Sequence, residues 1–392
     1  GVQTCALPIS ASGDPHHAGS ISSALSGHRR GAVWAGDARL DVGLCAAVGT
    51  QPLAGAVSRG GQRASGAGGA DGGAVGPVGG RSPDGQPRFD QHVPPNGYLW
   101  WYVDGLSDDG QHGFTVIAFV GSVFSPYYAW ARRRSPADPD NFCALNVALY
   151  GRTRRWAMTE RGGRHCARDA HQFQIGPSRV QWDGARLSID VHERCVPIPR
   201  PLRGRIVVQP ERLFNFSTAL EPSGSHRWGP IAPSARVDVE FESPRLRWSG
   251  HAYLDSNEGD TPIATSCREW DWSRSRMADG STVVLYDVQG FESTGDRLLS
   301  LRFDADGQVD SVPAPARQPL SRTLWGIARR MRSDGPVQIA EQLEDTPFYQ
   351  RAVLHSDLLG ERVLSFHETL NVPKLVSPVV QAMLPWRMPR MG

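Results

Sequence analysis

Lysine is almost missing from this chain: of 42 basic residues, only Lys374 is a lysine and the rest are arginines. A phosphate-binding loop or a Schiff-base site would have to use it, and nothing around "NVPKLV" is rich in glycine. Charge of one sign is lacking too, since 42 basic residues stand against 40 acidic ones with no long basic block. Nucleic acid is therefore not an expected partner. The six cysteines (Cys5, Cys45, Cys143, Cys166, Cys195 and Cys267) form no C-x-x-C, and no secretory signal precedes them, so they read as reduced thiols in a cytoplasmic setting. No apolar run reaches membrane-spanning length, because "FTVIAFVGSVFSPYYAWA" is broken by Gly121, Ser125 and Pro126. No G-x-S-x-G occurs after residue 87, which argues against a serine hydrolase.

Residues 1–87 are rich in Gly, Ala, Ser and Pro, without hydrophobic periodicity, and read as a disordered leader. The opening "GVQTCALPIS" has no initiator Met, and the whole leader reads as non-native. From Arg88 onward the pattern is β. "YLWWYVDGLSDDGQHGFTVIAFVGSVFS" holds two apolar runs around an "SDDGQHG" turn, a hairpin. Short alternating segments bounded by Gly, Pro or Asp then recur about every ten residues, the rhythm of an all-β sandwich or barrel, and the length suits two. In "SRTLWGIARRMRSD" the spacing of Leu324, Ile327, Ala328 and Met331 predicts one short helix. The apolar end "ETLNVPKLVSPVVQAMLPWRMPRMG" suits either a membrane surface or a barrel rim.

Three constellations invite chemistry. His165, Cys166 and His171, with His192, Glu193 and Cys195, match no metal-ligand spacing, and "FHETL" lacks the second His of H-E-x-x-H, so no metal is expected. Trp100 and Trp101, with Trp270 and Trp272 in "REWDWSR", could stack on sugar rings. Glu269 and Asp271, two apart on a strand, share one face and do not straddle a glycosidic bond. The third is "SGSHRWGPIAP" with "SGHAYLDSNEGD". His226 and Trp228 are two apart, as are Tyr253 and Asp255, so each pair sends one aromatic and one ionisable group to a single face. The spacing fits a site in a cavity wall and equally a buried polar pair that is merely structural.

Long strings from Phe89 to Arg390 decide between them: "GYLWWYVDGLSDDGQHGFTVIAFVGSVFSPYYAWARR", "HRWGPIAP", "WSGHAYLDSNEGD", "EWDWSR", "FYQRAVLHS" and "VVQAMLPWRMPR". Across these the sequence resembles the bacterial carotenoid 1,2-hydratase family, also called hydroxyneurosporene synthase, with the leader outside the resemblance. The resemblance implies two lipocalin-like β-barrel or sandwich domains, assigned here to 88–262 and 263–373, followed by an apolar tail, 374–392. It implies addition of water to the terminal 1,2 double bond of an acyclic carotenoid, neurosporene or lycopene, without a cofactor. It also implies that His226, Trp228, Tyr253 and Asp255, which match the family's H-x-W and Y-x-D, form the catalytic set. Hydration of such an alkene needs a proton on C2 and water on the resulting C1 cation. Asp255 is then the acid, kept protonated by apolar neighbours. Trp228 and Tyr253 face the cation at about 1 to 2 kcal/mol each, and neutral His226 orients the water and takes its proton. A substrate that lives in a bilayer further implies peripheral membrane contact and exchange with other enzymes of the same pathway. The competing reading is a lipocalin-like carrier that binds carotenoid unchanged; it needs neither Asp255 nor His226.

Overall fold

The computed structural model describes residues 79–293 and 295–391, which form an all-β structure built on two large, mainly antiparallel sheets. The expected hairpin is present as β1 (Tyr98–Ser107) and β2 (His112–Val120). Six further strands complete the part of the fold that matters for function: β3 (His226–Ser243), β4 (Leu246–Gly259), β5 (Cys267–Arg276), β6 (Thr282–Gly290), β7 (Tyr349–Leu358) and β8 (Glu361–Asn371). In the first sheet the neighbours run β2, β1, β4, β3, and in the second β6, β5, β8, β7. The two sheets thus share one local connectivity, two hairpins joined through the first strand of one and the second strand of the other. The chain leaves the first sheet after Gly259 and enters the second at Cys267.

The strand β1 shows how the sheets are used. Its sequence "YLWWYV" is apolar at every position rather than at alternate ones, as expected for a strand buried on both faces. Leu99, Trp101 and Val103 point into the core wrapped by the first sheet, together with Phe114, Val237 and Leu254. Tyr98, Trp100 and Tyr102 point the other way, into a second core shared with Trp270, Trp272 and Tyr286 of the facing sheet. A third, smaller core around Leu285, Ala352 and Leu354 lies behind the second sheet. The space between the sheets is therefore walled by aromatic residues from both.

Of the expected leader, residues 1–78 lie outside the described residues, and residues 79–87 do not behave as a leader. Arg81 is buried, and its Nη1 donates to the carbonyls of Phe216 (2.8 Å) and Pro230 (3.0 Å), while its Nη2 bonds the Gly229 carbonyl and the Ser256 hydroxyl. The reason lies in β3, where Pro230 and Pro233 cannot donate to a ladder and the pairing with β4 slips at two places. Arg81 supplies the hydrogen bonds that the bulged backbone has lost.

The helix expected around Leu324, Ile327, Ala328 and Met331 is not formed. Gly326 adopts a positive φ of 70° in a turn closed by its N–H onto the Thr323 carbonyl, and Met331 lies in a short strand, Arg330–Arg332. Leu324 is fully exposed whereas Ile327 and Met331 are buried, so the helical spacing marks no common face. Helix α1 forms instead at Pro126–Arg132, where Ser125 caps the Tyr128 N–H and a proline occupies the first turn. In the tail, helix α2 (Pro378–Arg387) is capped by Ser377, and the chain then pairs in parallel with the strand Arg155–Arg161. It buries Val380 and Leu384 while leaving Val379 and Trp386 more than two-thirds exposed.

Candidate active site

The register of three strands assembles the site. Asp255 on β4 lies opposite Tyr102 on β1 and Pro230 on β3; Asn257 lies opposite Trp100 and Trp228; Gly259 lies opposite Tyr98 and His226. Because side chains alternate along a strand, all of these project to the face that looks at the second sheet. Gly259 leaves room there, since a side chain at this position would collide with the Tyr98 ring and the His226 imidazole.

Asp255, Tyr253 and Trp228 come together directly. Asp255 Oδ2 accepts hydrogen bonds from Trp228 Nε1 (2.8 Å) and from the Tyr253 hydroxyl (2.9 Å), and Oδ1 accepts a long one from Asn257 Nδ2 (3.4 Å). All four residues are buried. Burial raises the Asp255 carboxyl from 3.8 to about 7; the hydrogen bonds from Trp228 and Tyr253 work against this, and the nearby carboxylates Glu368 and Asp104 add to it. Asp255 is thus a carboxylic acid that can hold its proton near neutrality.

His226 lies on the same face one pairing further along. Its Nδ1 meets the Tyr98 hydroxyl at 2.5 Å and its Nε2 meets the Thr261 hydroxyl at 3.3 Å, so both ring nitrogens are engaged. Burial lowers its pKa to about 4, against an upward pull from Glu221 and Asp260, and the ring is neutral at pH 7. Tyr98 in turn stacks on Trp100, with ring centroids 4.9 Å apart.

Between the sheets Asp255 opens onto a narrow cavity of about 30 Å³, whose other walls include Trp100, Tyr102, Asn257, Trp272 and Glu368. Of the four expected site residues only Asp255 borders it; His226, Trp228 and Tyr253 do not. Trp272 meets both Tyr102 (5.5 Å) and Tyr253 (5.3 Å) edge-on or tilted, and Tyr286 meets Trp228 edge-on at 5.6 Å. The charged residues around the cavity are paired. Arg274 holds Asp104, and Arg351 Nε donates to Glu368 Oε1 at 2.6 Å while the Tyr102 hydroxyl donates to the same oxygen at 2.7 Å. Arg351 also lines a larger apolar cavity of about 480 Å³, walled by Phe124, Met158, Phe348 and Leu384.

The other constellations take ordinary roles. Glu269 and Asp271 both pair with Arg330, on the face of β5 opposite to Trp270 and Trp272. Glu193 is buried against Arg161 at 2.8 Å and the Ser178 hydroxyl at 2.8 Å. Among the described residues no cluster of three His, Cys, Asp or Glu side chains is arranged to hold a metal ion.

Residues 116–392 match the family described as carotenoid hydratase CrtC. An acyclic carotenoid 1,2-hydratase of Rubrivivax gelatinosus is 57% identical over 378 residues, covering 95% of this chain and 93% of that protein. The chain belongs to the carotenoid hydratase family. A second acyclic carotenoid 1,2-hydratase, from Thiocapsa roseopersicina, is 50% identical over 381 residues, covering 96% of this chain and 94% of its own. Such coverage takes in most of residues 1–87, contrary to the expectation that the leader falls outside the resemblance. In fold alone, the hydratase-family chain is similar to the crystal structure of a putative AttH from Nitrosomonas europaea, with a TM-score of 0.51 at 14% identity, covering 70% of this chain and 92% of that one.

Sequence reasoning missed part of the cavity. Asn257 continues the Y-x-D alternation by one step and could have been found from period two alone. Glu368 interrupts the apolar face Phe366, Glu368, Leu370 of β8, a charge where a core residue is expected. No local signal brings it to Asp255, because the two lie in different sheets.

Proposed function

We propose that this hydratase-family protein adds water across the terminal 1,2 double bond of an acyclic carotenoid such as neurosporene or lycopene, leaving a tertiary 1-hydroxy end group. The observation that carries the reading is Asp255: a carboxyl with its pKa at about 7, inside an aromatic cavity, is what protonation of a hydrocarbon at neutral pH requires. Asp255 delivers its proton to C2, and the π electrons of the alkene form the new C–H bond. The positive charge left on C1 faces the rings that line the cavity, Trp100, Tyr102 and Trp272, which favour it by about 1 to 2 kcal/mol each. Water then bonds to C1 and gives up a proton. Trp228 and Tyr253 hold the carboxyl at a fixed angle through Oδ2. For His226 we propose a positioning role: the neutral ring fixes Tyr98, and Tyr98 supports Trp100 in the cavity wall.

The larger apolar cavity is the natural place for the polyene chain, because Arg351 borders it and bonds Glu368 at the small one. Its rim carries exposed Trp325, Met383 and Trp386, with Val379 beside them on α2. This rim supports peripheral contact with a lipid surface, from which an insoluble substrate would enter. Incubation of the protein with lycopene in liposomes, followed by mass spectrometry, tests the function. Gain of one water by the carotenoid supports the hydratase reading, and bound but unchanged carotenoid would favour a carrier.

A further inference from the structure

Two buried polar atoms on opposite walls of the small cavity have no hydrogen-bond partner within the protein: Nε1 of Trp272 and Oδ1 of Asn257. Buried indole N–H and amide oxygen atoms are normally satisfied, and each unsatisfied one calls for a reason. Here one is a donor and the other an acceptor, they come from different sheets, and the cavity they line also contains Asp255 and Glu368. Both residues are at most 5% exposed. The orientation of the Asn257 amide follows from its Nδ2 facing Asp255, which turns Oδ1 away. Glu368 receives Tyr102 and Arg351 on Oε1 alone, which leaves Oε2 without a hydrogen bond. A water needs two to four such partners and about 10 to 15 Å³ of free volume, and the cavity offers about 30 Å³.

We propose that Trp272, Asn257 and Glu368 form the site of the water that adds to C1, and that Glu368 is the base that takes its proton. The inference rests on the hydratase reading above and goes beyond it in naming the base. Trp272 Nε1 donates to the water oxygen, and the two water hydrogens point to Asn257 Oδ1 and to the Glu368 carboxylate. The two carboxyls divide the work by their partners. Arg351 compensates the charge of Glu368, whereas the hydrogen bonds of Asp255 come only from neutral groups. Once Asp255 has protonated C2, a lone pair of the water oxygen forms the C–O bond at C1, and its O–H bond breaks toward Glu368. The step ends with Asp255 ionised and Glu368 protonated. Loss of that proton to solvent and uptake of one by Asp255 restore the start, and the net change is one water added. The negative charge of Glu368 also faces the cation as it forms.

The test separates the two halves of the reaction, using the full chain and lycopene in liposomes made up in D2O. Protonation without capture reverses, and it leaves deuterium in recovered carotenoid. Glu368→Gln should lower hydration by about 10²-fold while deuterium exchange into lycopene persists, and Asp255→Asn should abolish both. Trp272→Phe, which keeps an aromatic ring but removes the N–H donor, should lower hydration about tenfold with exchange retained. It decides the matter should Glu368→Gln fail to fold. Hydration by folded Glu368→Gln within about threefold of wild type, or an equal loss of exchange and hydration, would overturn the proposal. So would unchanged hydration by Trp272→Phe. A wild-type protein that neither exchanges nor hydrates would instead defeat the underlying reading of the function.

Discussion

Trp228 Nε1 donates to Asp255 Oδ2 at 2.8 Å, across two paired strands and beside the aromatic cavity that Asp255 lines. The bond favours the ionised carboxyl, so it holds the acidity of Asp255 within reach of neutrality against the upward push of burial. Trp228→Phe keeps an aromatic face and removes the donor. The Asp255 pKa should then rise, moving the alkaline limb of the rate profile to higher pH. The maximal rate should fall about tenfold as the carboxyl loses its fixed angle. A pH–rate profile of the variant checks both, and an unmoved limb would show that the bond does not set the acidity.

The pH dependence of the wild type carries its own sign. The hydration rate should fall as pH rises above about 7, because the acid must be protonated and burial raises its pKa to about 7. Stability follows the same group. Between 3.8, the ordinary carboxyl value, and 7 the folded protein binds a proton that the unfolded chain has released, so this contribution to stability is lost as pH rises through that window. His226 and His367, the latter buried on β8, are both lowered to about 4 and act in the opposite sense, withdrawing stability as pH falls from 6.5 toward 4. Melting curves of Asp255→Asn and wild type from pH 4 to 8 isolate the first term. The variant should gain in Tm relative to wild type as pH rises, and parallel curves would argue against a raised carboxyl.

Arg81 supports the site from behind. Its buried guanidinium satisfies carbonyls at the Pro230 bulge, directly opposite Asp255 in register. Replacing it by methionine should cost at least about 3 kcal/mol, since hydrogen bonds to a charged group are worth about 1.5 to 3 kcal/mol each and their partners stay buried. Urea denaturation checks the magnitude. A loss below about 1 kcal/mol would mean that the bulge finds other partners.

At the rim of the large cavity, Val379 and Trp386 are exposed at 71% and 76%. Changing both to serine should weaken binding to anionic liposomes several-fold without altering the melting temperature, because neither contributes to the core. Equal flotation of variant and wild type would leave this face without a role in lipid contact.

Much of this molecule was legible in its sequence, and the limits have physical causes. The hairpin β1–β2 could be read because its turn and its two apolar runs are local. Tyr253 with Asp255 and His226 with Trp228 could be paired because period two is a property of a single strand. The false helix near Leu324 shows what spacing cannot exclude: Gly326 at positive φ and short-strand pairing outweigh four apolar residues at helical intervals. Arg81 was hidden because its surroundings are compositionally simple, and its partners lie more than 130 residues away. Glu368 and Trp272 meet Asp255 only because two sheets face each other, and no local pattern encodes that.

The most direct test of the account is the turnover of Asp255→Asn on lycopene in liposomes, measured beside its melting temperature. Asparagine keeps the shape and can still accept from Trp228 and Tyr253, but it has no proton acidic enough for an alkene. The account predicts a folded protein whose hydration rate has dropped by at least about 10²-fold. A folded Asp255→Asn protein that hydrates lycopene at near wild-type rate would contradict it.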